Sequence, residues 1–425
     1  MKTISKQASG YGSAGQSPIR SSEMKRKLFV ILFAGMLTLL AYGYVSAKEP
    51  VDTRGTELKY VSEFEGGKLY RAGEVRVLEL TGSYRQMGRQ YGALAKDDLK
   101  AMHTTIGEVF LNNPDEKRRM TQDELNTIAR AVFDRYPQRY KEILRGMAET
   151  SGLGLDKVLL VNALEWFPKI NRLSYGNCSG IGVWGPYTKG PVIFGRNDDD
   201  SPVYLSFARP TVAVFKPNDG SIPAALINYP GVIYNATGMN ADGLFIELNA
   251  GNEMGFSLER ISIFTTLFSY LQEYHNLAEF DRAMKSTLVD LSSIINVADP
   301  SRAYSYECSL WDTKRRDQDA EGIVAAANEY SHPDWSITPL DPKKDPGANQ
   351  IRKGNLLKLG AKYKGAITPE VMMKKIMDVQ IKDGGATHAG TVFQVVASPA
   401  DRKIWIKVPG RVDWTEIALK PIFGK

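Results

Sequence analysis

The stretch Tyr175-Gly176-Asn177-Cys178-Ser179-Gly180-Ile181-Gly182-Val183-Trp184 divides the chain into two kinds of pattern. Before it, apolar residues recur at helical spacing: Ser83 to about Val109, Gln122 to Thr150 and Asp156 to Phe167 all read as helices, with Val75–Leu80 a short strand ahead of them and residues 48–75 irregular or extended. After Cys178 the period drops from 3.6 to 2. Ile181–Trp184, Pro191–Arg196, Leu205–Lys216, Ala224–Tyr229, Val232–Asn235 and Leu244–Leu248 read as strands, separated by turn residues such as Gly185-Pro186, Asn218-Asp219-Gly220 and Pro230-Gly231. Residues 258–290 return to helix, Ala303–Trp311 and Gly322–Ala327 to strand, Gln350–Lys362 and Pro369–Val379 to helix. Thr391–Ser398 and Lys403–Pro409 close as a hairpin. The alternation of helical and antiparallel blocks predicts an α+β fold with helices layered over antiparallel sheets.

Working outward, the chain has 425 residues, 43% of them hydrophobic and 24% charged, an ordinary composition for a globular protein that excludes fibrous or largely disordered classes. Its net charge of +6 is misleading. Residues 1–27 hold six Lys/Arg and one Glu, and residues 28–47 hold no charge, so the remainder is close to neutral. Without a basic stripe in the body, nucleic acid is not expected as a partner. Met24-Lys25-Arg26-Lys27, the apolar run Leu28–Tyr44 and the small-residue site Val45-Ser46-Ala47 have the form of a secretory signal peptide over residues 24–47, with an uncleaved membrane anchor as the alternative. A secreted or periplasmic location is expected, and Met24 would begin a better signal peptide than Met1. Contact with a membrane is expected only through this segment.

Chemistry is restricted by what is missing. His103, His275, His332 and His388 make no HxxxH or HExxH spacing, no CxxC occurs, and no GxGxxG, P-loop or GxSxG motif is found, so neither metal nor nucleotide cofactor is expected. Of the two cysteines, Cys308 lies in an alternating strand pattern, whereas Cys178 stands in a turn-like run that leads into a strand; pairing between them is left open. Pro191 to Asp200 ends in Arg196-Asn197-Asp198-Asp199-Asp200, and in a hairpin this end returns beside Cys178. An acidic solvated turn would look the same. An Arg and an Asp placed beside a thiol would lower its pKa and orient a neighbouring amine. The tryptophans at 184, 311, 335, 405 and 414 read as core.

Several segments in order resemble the acyl-coenzyme A:6-aminopenicillanic acid acyltransferase and choloylglycine hydrolase-like family of N-terminal-nucleophile (Ntn) hydrolases: Gly82-Ser83 with Met87-Gly88 and Gly92, Ile143-Leu144-Arg145-Gly146-Met147-Ala148, Asn162 with Glu165, Gly195-Arg196-Asn197-Asp198-Asp199, Gly238-Met239-Asn240-Ala241-Asp242-Gly243-Leu244 with Asn249, and Ala327-Asn328. The resemblance runs from about residue 75 to the C-terminus. It implies a four-layer αββα sandwich of two antiparallel sheets, with residues 1–47 an extension and signal peptide, 48–177 a helical propeptide, and 178–425 the catalytic chain. Cleavage would fall between Asn177 and Cys178, where Asn177 and Ser179 depart from the family's more frequent residues. The resemblance assigns Cys178 as nucleophile, Asp199 as partner of its free amine, Arg196 as basic neighbour of the thiol, Asn249 and Asn328 as oxyanion donors, and, as the weakest match, Arg352. It implies hydrolysis of a linear amide in a small N-acyl substrate, without cofactor or metal and with the oligomeric state open. Acyl transfer is the alternative within the family. Two other readings stand beside it: a papain-like protease using His332, 154 residues after Cys178 and followed by Asn349, and a binding protein that has kept the fold without the activity.

Overall fold

Glycines bring the first helices together. Ser83 accepts from the Gln86 amide while Gln86 reaches back to the Ser83 amide, a capping box that starts helix α1 (Tyr84–Leu94). After α2 (Lys96–Ile106), a second box, Thr121 with Glu124, opens α3 (Gln122–Asp134), followed by α4 (Gln138–Ser151). α1 lies directly on α4, because a Cβ at Gly88 would run into the Ile143 carbonyl and one at Gly146 into the Arg85 carbonyl. Two of the glycines that carried the family resemblance are therefore a helix-crossing requirement. α5 (Leu155–Asn162) and α6 (Trp166–Ile170) complete the helical block.

The computed structural model describes residues 57–170, 178–200, 209–234, 236–252, 254–338 and 341–424. The expected signal peptide and the Asn177 side of the expected cleavage point lie outside them. Ahead of α1 come β1 (Lys59–Phe64), β2 (Gly67–Ala72) and β3 (Val75–Gly82); then β4 (Ser179–Gly185), β5 (Gly190–Asp199), β6 (Thr211–Pro217), β7 (Ala224–Asn228), β8 (Thr237–Asn240) and β9 (Phe245–Ala250). α7 (Ile263–Glu273) and α8 (Leu277–Met284) precede β10 (Ser293–Ala298), β11 (Ala303–Cys308), β12 (Thr313–Arg316) and β13 (Ile323–Ala326). The chain continues through α9 (Asn349–Lys362), a helical turn at Pro369–Val371 that runs on as a π-helix over Met372–Met377, and strands β14 (Thr391–Ser398), β15 (Lys403–Val408) and β16 (Val412–Ala418).

The strands form a large sheet, β1-β2-β3-β6-β7-β8-β9-β10-β11-β12, and a small one, β13-β4-β5-β14-β15-β16. All pairs are antiparallel except β3 with β6, which is parallel; the helical block and the β4–β5 hairpin lie between them in the chain and supply the long crossover that parallel pairing needs. Phe194 of β5 meets Phe245 of β9 with ring centroids 5.3 Å apart, so these faces of the two sheets pack on each other. On the far side of β5, Gly195 lies against Met372 and Met377. α1 and α7 cover the outside of the large sheet, and α9 with the π-helix covers the small one, which makes four layers, αββα.

The residues before α1 differ from the sequence expectation. Residues 59–72 form a hairpin, turned by Glu65 and Gly66 at φ 49° and 84°, and its strands extend the large sheet. Val232–Tyr234 are not a strand. Asn162 takes their hydrogen bonds instead, accepting from Ile233 N at 3.0 Å and donating to Gly231 O at 3.0 Å. Thr237–Asn240 form strand β8, which the sequence reading did not assign. Trp311 is 63% exposed rather than core, since it sits on the turn between β11 and β12.

Candidate active site

Cys178 immediately precedes β4, and β5 returns antiparallel beside it with Ser179 opposite Asn197 and Gly180 opposite Arg196. The β pleat then decides what each residue can touch. Arg196 and Asp198 point between the sheets, toward the thiol. Asn197 and Asp199 point the other way, toward α9 and β14, where Asn197 accepts from Gln394 and Asp199 from Thr391 Oγ1 at 2.6 Å. Of these consecutive carboxylates, Asp198 thus meets the thiol directly, and Asp199 connects to the cysteine through Arg352.

On the thiol side, Arg196 Nη2 lies 3.6 Å from Cys178 Sγ and Asp198 Oδ1 lies 3.5 Å from it. Arg196 is fully buried. Its Nη1 donates to Ala236 O and Thr237 Oγ1 and its Nη2 to Leu248 O at 3.0 Å; Asp198 and Glu247 stand 3.5 and 3.6 Å from it. Burial pushes the Cys178 thiol well above its ordinary value, Asp198 adds to this, and Arg196 opposes it. The sulfur is therefore held as a thiol, and it needs a base at the moment of attack. Burial also raises Asp198, against the pull of Arg196, and pushes Glu247 up to about 7.

On the main-chain side, Arg352 gathers the site. It rises from the first turn of α9, fully buried, and donates through Nη1 to Cys178 O at 2.9 Å and to Asp199 Oδ2 at 3.1 Å. Its Nη2 donates to Asn328 Oδ1 and Asn349 Oδ1, both at 2.8 Å, and its Nε to Gly347 O at 2.9 Å. Desolvation lowers its pKa, which the Asp199 charge counters. Asn328 follows β13 and in turn donates through Nδ2 to Ala250 O at 2.8 Å. Cys178, Arg196, Asp199, Asn328 and Arg352 are thus joined by direct contacts. Asn249 approaches through a different route: on β9 it shares a face with Glu247, to which its Nδ2 donates at 3.4 Å, and its Oδ1 is buried without a hydrogen-bond partner.

Two neighbours were missed by sequence reading. Asp198 was passed over because three consecutive aspartates look alike until the pleat separates them. His388 Nε2 is 3.2 Å from Asp199 Oδ2, and its Nδ1 accepts from Gly390 N at 3.1 Å, which leaves the proton on the nitrogen facing the carboxylate. Its signal was only sequence proximity to β14. His332, by contrast, accepts from Asp334 N and borders a separate hollow with Tyr330 and Lys353. Both cysteines are free thiols.

A narrow cleft opens at Cys178. One part of its lining is apolar, from Leu164, Pro168, Ala236, Leu248, Phe264 and Leu291; Glu165, Asp198, Asp199 and Asp200 also line it.

No protein-family model matches the chain, and no curated protein matches it. Solved structures similar to it include a mutant conjugated bile acid hydrolase from Clostridium perfringens, at 12% identity over 57% of this chain and 93% of that one, TM-score 0.39. An N-acylethanolamine-hydrolyzing acid amidase ortholog from Caenorhabditis elegans is similar at 15% identity over 52% and 93%, TM-score 0.41. Penicillin V acylase from Agrobacterium tumefaciens is similar at 10% identity over 57% and 86%, TM-score 0.40.

Proposed function

We propose that this protein is a secreted, autoproteolytic Ntn hydrolase that cleaves a linear, non-peptide amide bond of an N-acylated small molecule, with Cys178 as nucleophile. The observation that carries the reading is that buried charge holds both ends of one residue: Arg196 and Asp198 at the sulfur, and at the carbonyl Arg352, which Asp199 in turn pairs with. A cysteine that relies on a histidine needs an imidazole at its sulfur. Among the described residues the histidine nearest this network, His388, faces Asp199 instead.

In maturation, Sγ attacks the carbonyl carbon of residue 177, the acyl group moves from nitrogen to sulfur, and water hydrolyses the thioester, which leaves the Cys178 amine free. In turnover that amine, whose ordinary pKa is about 7.7–8.0, takes the thiol proton as sulfur adds to the substrate carbonyl. Asn249 and Asn328 amides stabilise the oxyanion, a role in which one donor typically contributes roughly 3 kcal/mol. The amine then gives its proton to the leaving nitrogen, and water, activated by the same amine, releases the acid. Acyl transfer would differ only in the final acceptor. A secreted location holds little coenzyme A or its thioesters, which favours hydrolysis over acyl transfer.

The test is intact mass together with an amidase screen on N-acyl amino acids, penicillin V and conjugated bile salts. The expected result is two chains split before Cys178 and amide turnover, both lost in Cys178→Ala. A single chain whose amidase activity survives Cys178→Ala would overturn the reading. Loss of activity in folded His332→Ala would favour the Cys/His protease instead.

A further inference from the structure

We propose that Asp198 is the base of self-cleavage: its carboxylate takes the Cys178 thiol proton while the chain is still whole, before the amine that serves turnover exists. This rests on the autoproteolytic reading above.

The need comes from the order of events. In the mature enzyme the free Cys178 amine belongs to the nucleophilic residue itself and accepts its proton. In the uncleaved chain the same nitrogen is part of a peptide bond, its lone pair is delocalised into the carbonyl, and it is no base. The thiol is nonetheless buried and held protonated, so attack on the carbonyl of residue 177 needs another acceptor. Among the described residues, the polar neighbours of Cys178 Sγ are Arg196 Nη2 at 3.6 Å, Asp198 Oδ1 at 3.5 Å and the Asp199 main-chain oxygen at 4.0 Å. A guanidinium accepts no proton, and a peptide oxygen is a very weak base. Asp198 can accept one, and the thiol already donates to it. The neighbouring carboxylates face other partners. That of Asp199 accepts from Thr391 and pairs with Arg352 and His388, and that of Glu247 stands against Arg196 and Asn296.

Two features suit Asp198 to the task. Burial raises its carboxyl above the ordinary range, which makes it a stronger base than a solvated aspartate. Arg196 also spans donor and acceptor, with Nη2 3.6 Å from Sγ and 3.5 Å from Asp198 Oδ2. Proton transfer therefore moves negative charge from one neighbour of the guanidinium to another and strands none. Asp198 is further faced by Asp199 beside it in β5, by Glu247 of β9 through Arg196, and by Glu165 and Asp200 on the same cleft wall, none of which touches the sulfur. As the bond from Sγ to the carbonyl carbon of residue 177 forms, the proton passes from sulfur to Asp198. As the C–N bond to Cys178 breaks, that proton goes to the departing nitrogen, which becomes the amine. Water then splits the thioester, giving the carboxylic acid of residue 177 and restoring the thiol. In turnover the amine, whose ordinary pKa is about 7.7–8.0, takes over as base.

The experiment labels the full-length chain during a short cell-free synthesis, chases it, shifts it into buffers from pH 6 to pH 9, and follows the split before Cys178 on gels. Asp198→Asn is expected to slow cleavage by roughly 100-fold at pH 7, the lower end of what a positioned base supplies. Asp198→Glu should be faster than Asp198→Asn. The sign of the effect separates a base from a bystander charge: Asp198 pushes the thiol up, so losing a mere charge would speed cleavage. The deficit should shrink to under about tenfold at pH 9, where solvent generates thiolate in either chain. A variant harmed only in its packing would be slower by one factor at every pH. In the parent the rate should level off above neutral pH, and this profile decides should Asp198→Asn fail to fold. Cleavage of Asp198→Asn within about threefold of the parent at pH 7, a deficit equal at all pH values, or a parent rate that climbs about tenfold per unit from pH 7 to pH 9 would overturn the inference and leave the hydrolase reading standing. A parent chain that never splits overturns self-cleavage itself, and this inference with it.

Discussion

The two cysteines are both buried, both free and both placed at the end of a strand, yet their surroundings differ in kind. Around Cys308, the last residue of β11, carbon dominates, and burial pushes its thiol up to about 12. Its neighbour Glu307 is fully partnered, by Arg316 at 2.9 Å and by the amides of Ser331 and His332. Around Cys178 the sulfur meets a guanidinium and a carboxylate, and its own carbonyl meets another guanidinium. Burial by itself raises a thiol and makes it inert. What separates a packing residue from a nucleophile is charge that cannot be satisfied without the reacting atoms.

The largest effect should therefore come from exchanging the two thiols for methyls. Cys178→Ala is expected to lower amidase activity by more than about 10³-fold while leaving a folded, single-chain protein. Cys308→Ala should leave activity within about twofold and cost roughly 1–2 kcal/mol of stability by urea titration, the usual scale for trimming a packed side chain. Equal losses of activity in the two variants would erase the distinction between the surroundings.

Next is Arg352, the residue that sequence matching supported least and that the structure places in the most contacts. Arg352→Met removes the partner of buried Asp199 and the donors to Cys178 O and Asn328. Breaking one side of a buried pair costs on the order of 3–5 kcal/mol. The variant should show a large fall in urea midpoint along with loss of activity and of chain cleavage. Arg352→Lys should restore the charge but not the four-way fork, and so recover stability more than activity. A variant as stable as the parent would mean that Asp199 does not depend on this arginine.

The contrast also explains what was legible beforehand. The period change at Cys178 is a local signal, and the helices, most strands and the α+β class follow from it; the two-sheet, four-layer arrangement was an implication of the family resemblance. β10, residues 293–298, is buried on both faces and shows no alternation, so the sequence reading assigned no strand between the helical stretch 258–290 and Ala303. The β1–β2 hairpin turns on Glu65 and Gly66, both left-handed, and its Gly66-Gly67 pair is a turn signal that the reading of residues 48–75 as irregular or extended did not use. At the site, Cys178 and Arg196 are neighbours across one hairpin and could be paired from the sequence. Arg352 and His388 reach Asp199 only through the packing of α9 and the loop before β14, and tertiary placement of that sort leaves no spacing to read.

His388 sharpens the comparison on a smaller scale. It pairs with Asp199, which lines the cleft, and makes no contact with the thiol, so it acts as a positioning residue. His388→Ala is expected to lower kcat by up to about tenfold with KM little changed, and His388→Gln, whose amide can still donate to Asp199, should recover most of the loss. A fall confined to KM, or no recovery in the glutamine variant, would count against this role.

The smallest effect separates the two surroundings by titration. Glu307 beside Cys308 is fully partnered, whereas Glu247 behind Cys178 has one oxygen without a hydrogen bond, Arg196 at 3.6 Å, Asn249 at 3.4 Å and Asn296 against its other oxygen. Burial pushes Glu247 up to about 7, and likewise Asp290, which caps α7 through Ile263 N. Both folded-state values lie above the ordinary carboxylate range, so the folded protein binds more protons than the unfolded chain between about pH 4 and pH 7. Stability is fully present below that window and is lost as pH rises through it. Carboxylates held low by cation partners, such as Asp281 with Arg315 and Lys285, act in the opposite sense but titrate at lower pH. Tm should therefore be higher at pH 5.5 than at pH 8, by roughly 5 °C or less for a chain of this size. Glu247→Gln should remove about half of the slope, and Asp290→Asn much of the rest, because an amide carries no proton to lose. Glu307→Gln, made on the Cys308 side, takes a carboxylate from Arg316 and from the amides of Ser331 and His332 and should lower Tm. A Tm that rises from pH 5.5 to pH 8 in the parent would show that both carboxylates are ionised throughout, and that Arg196 rather than a proton neutralises Glu247 behind the thiol.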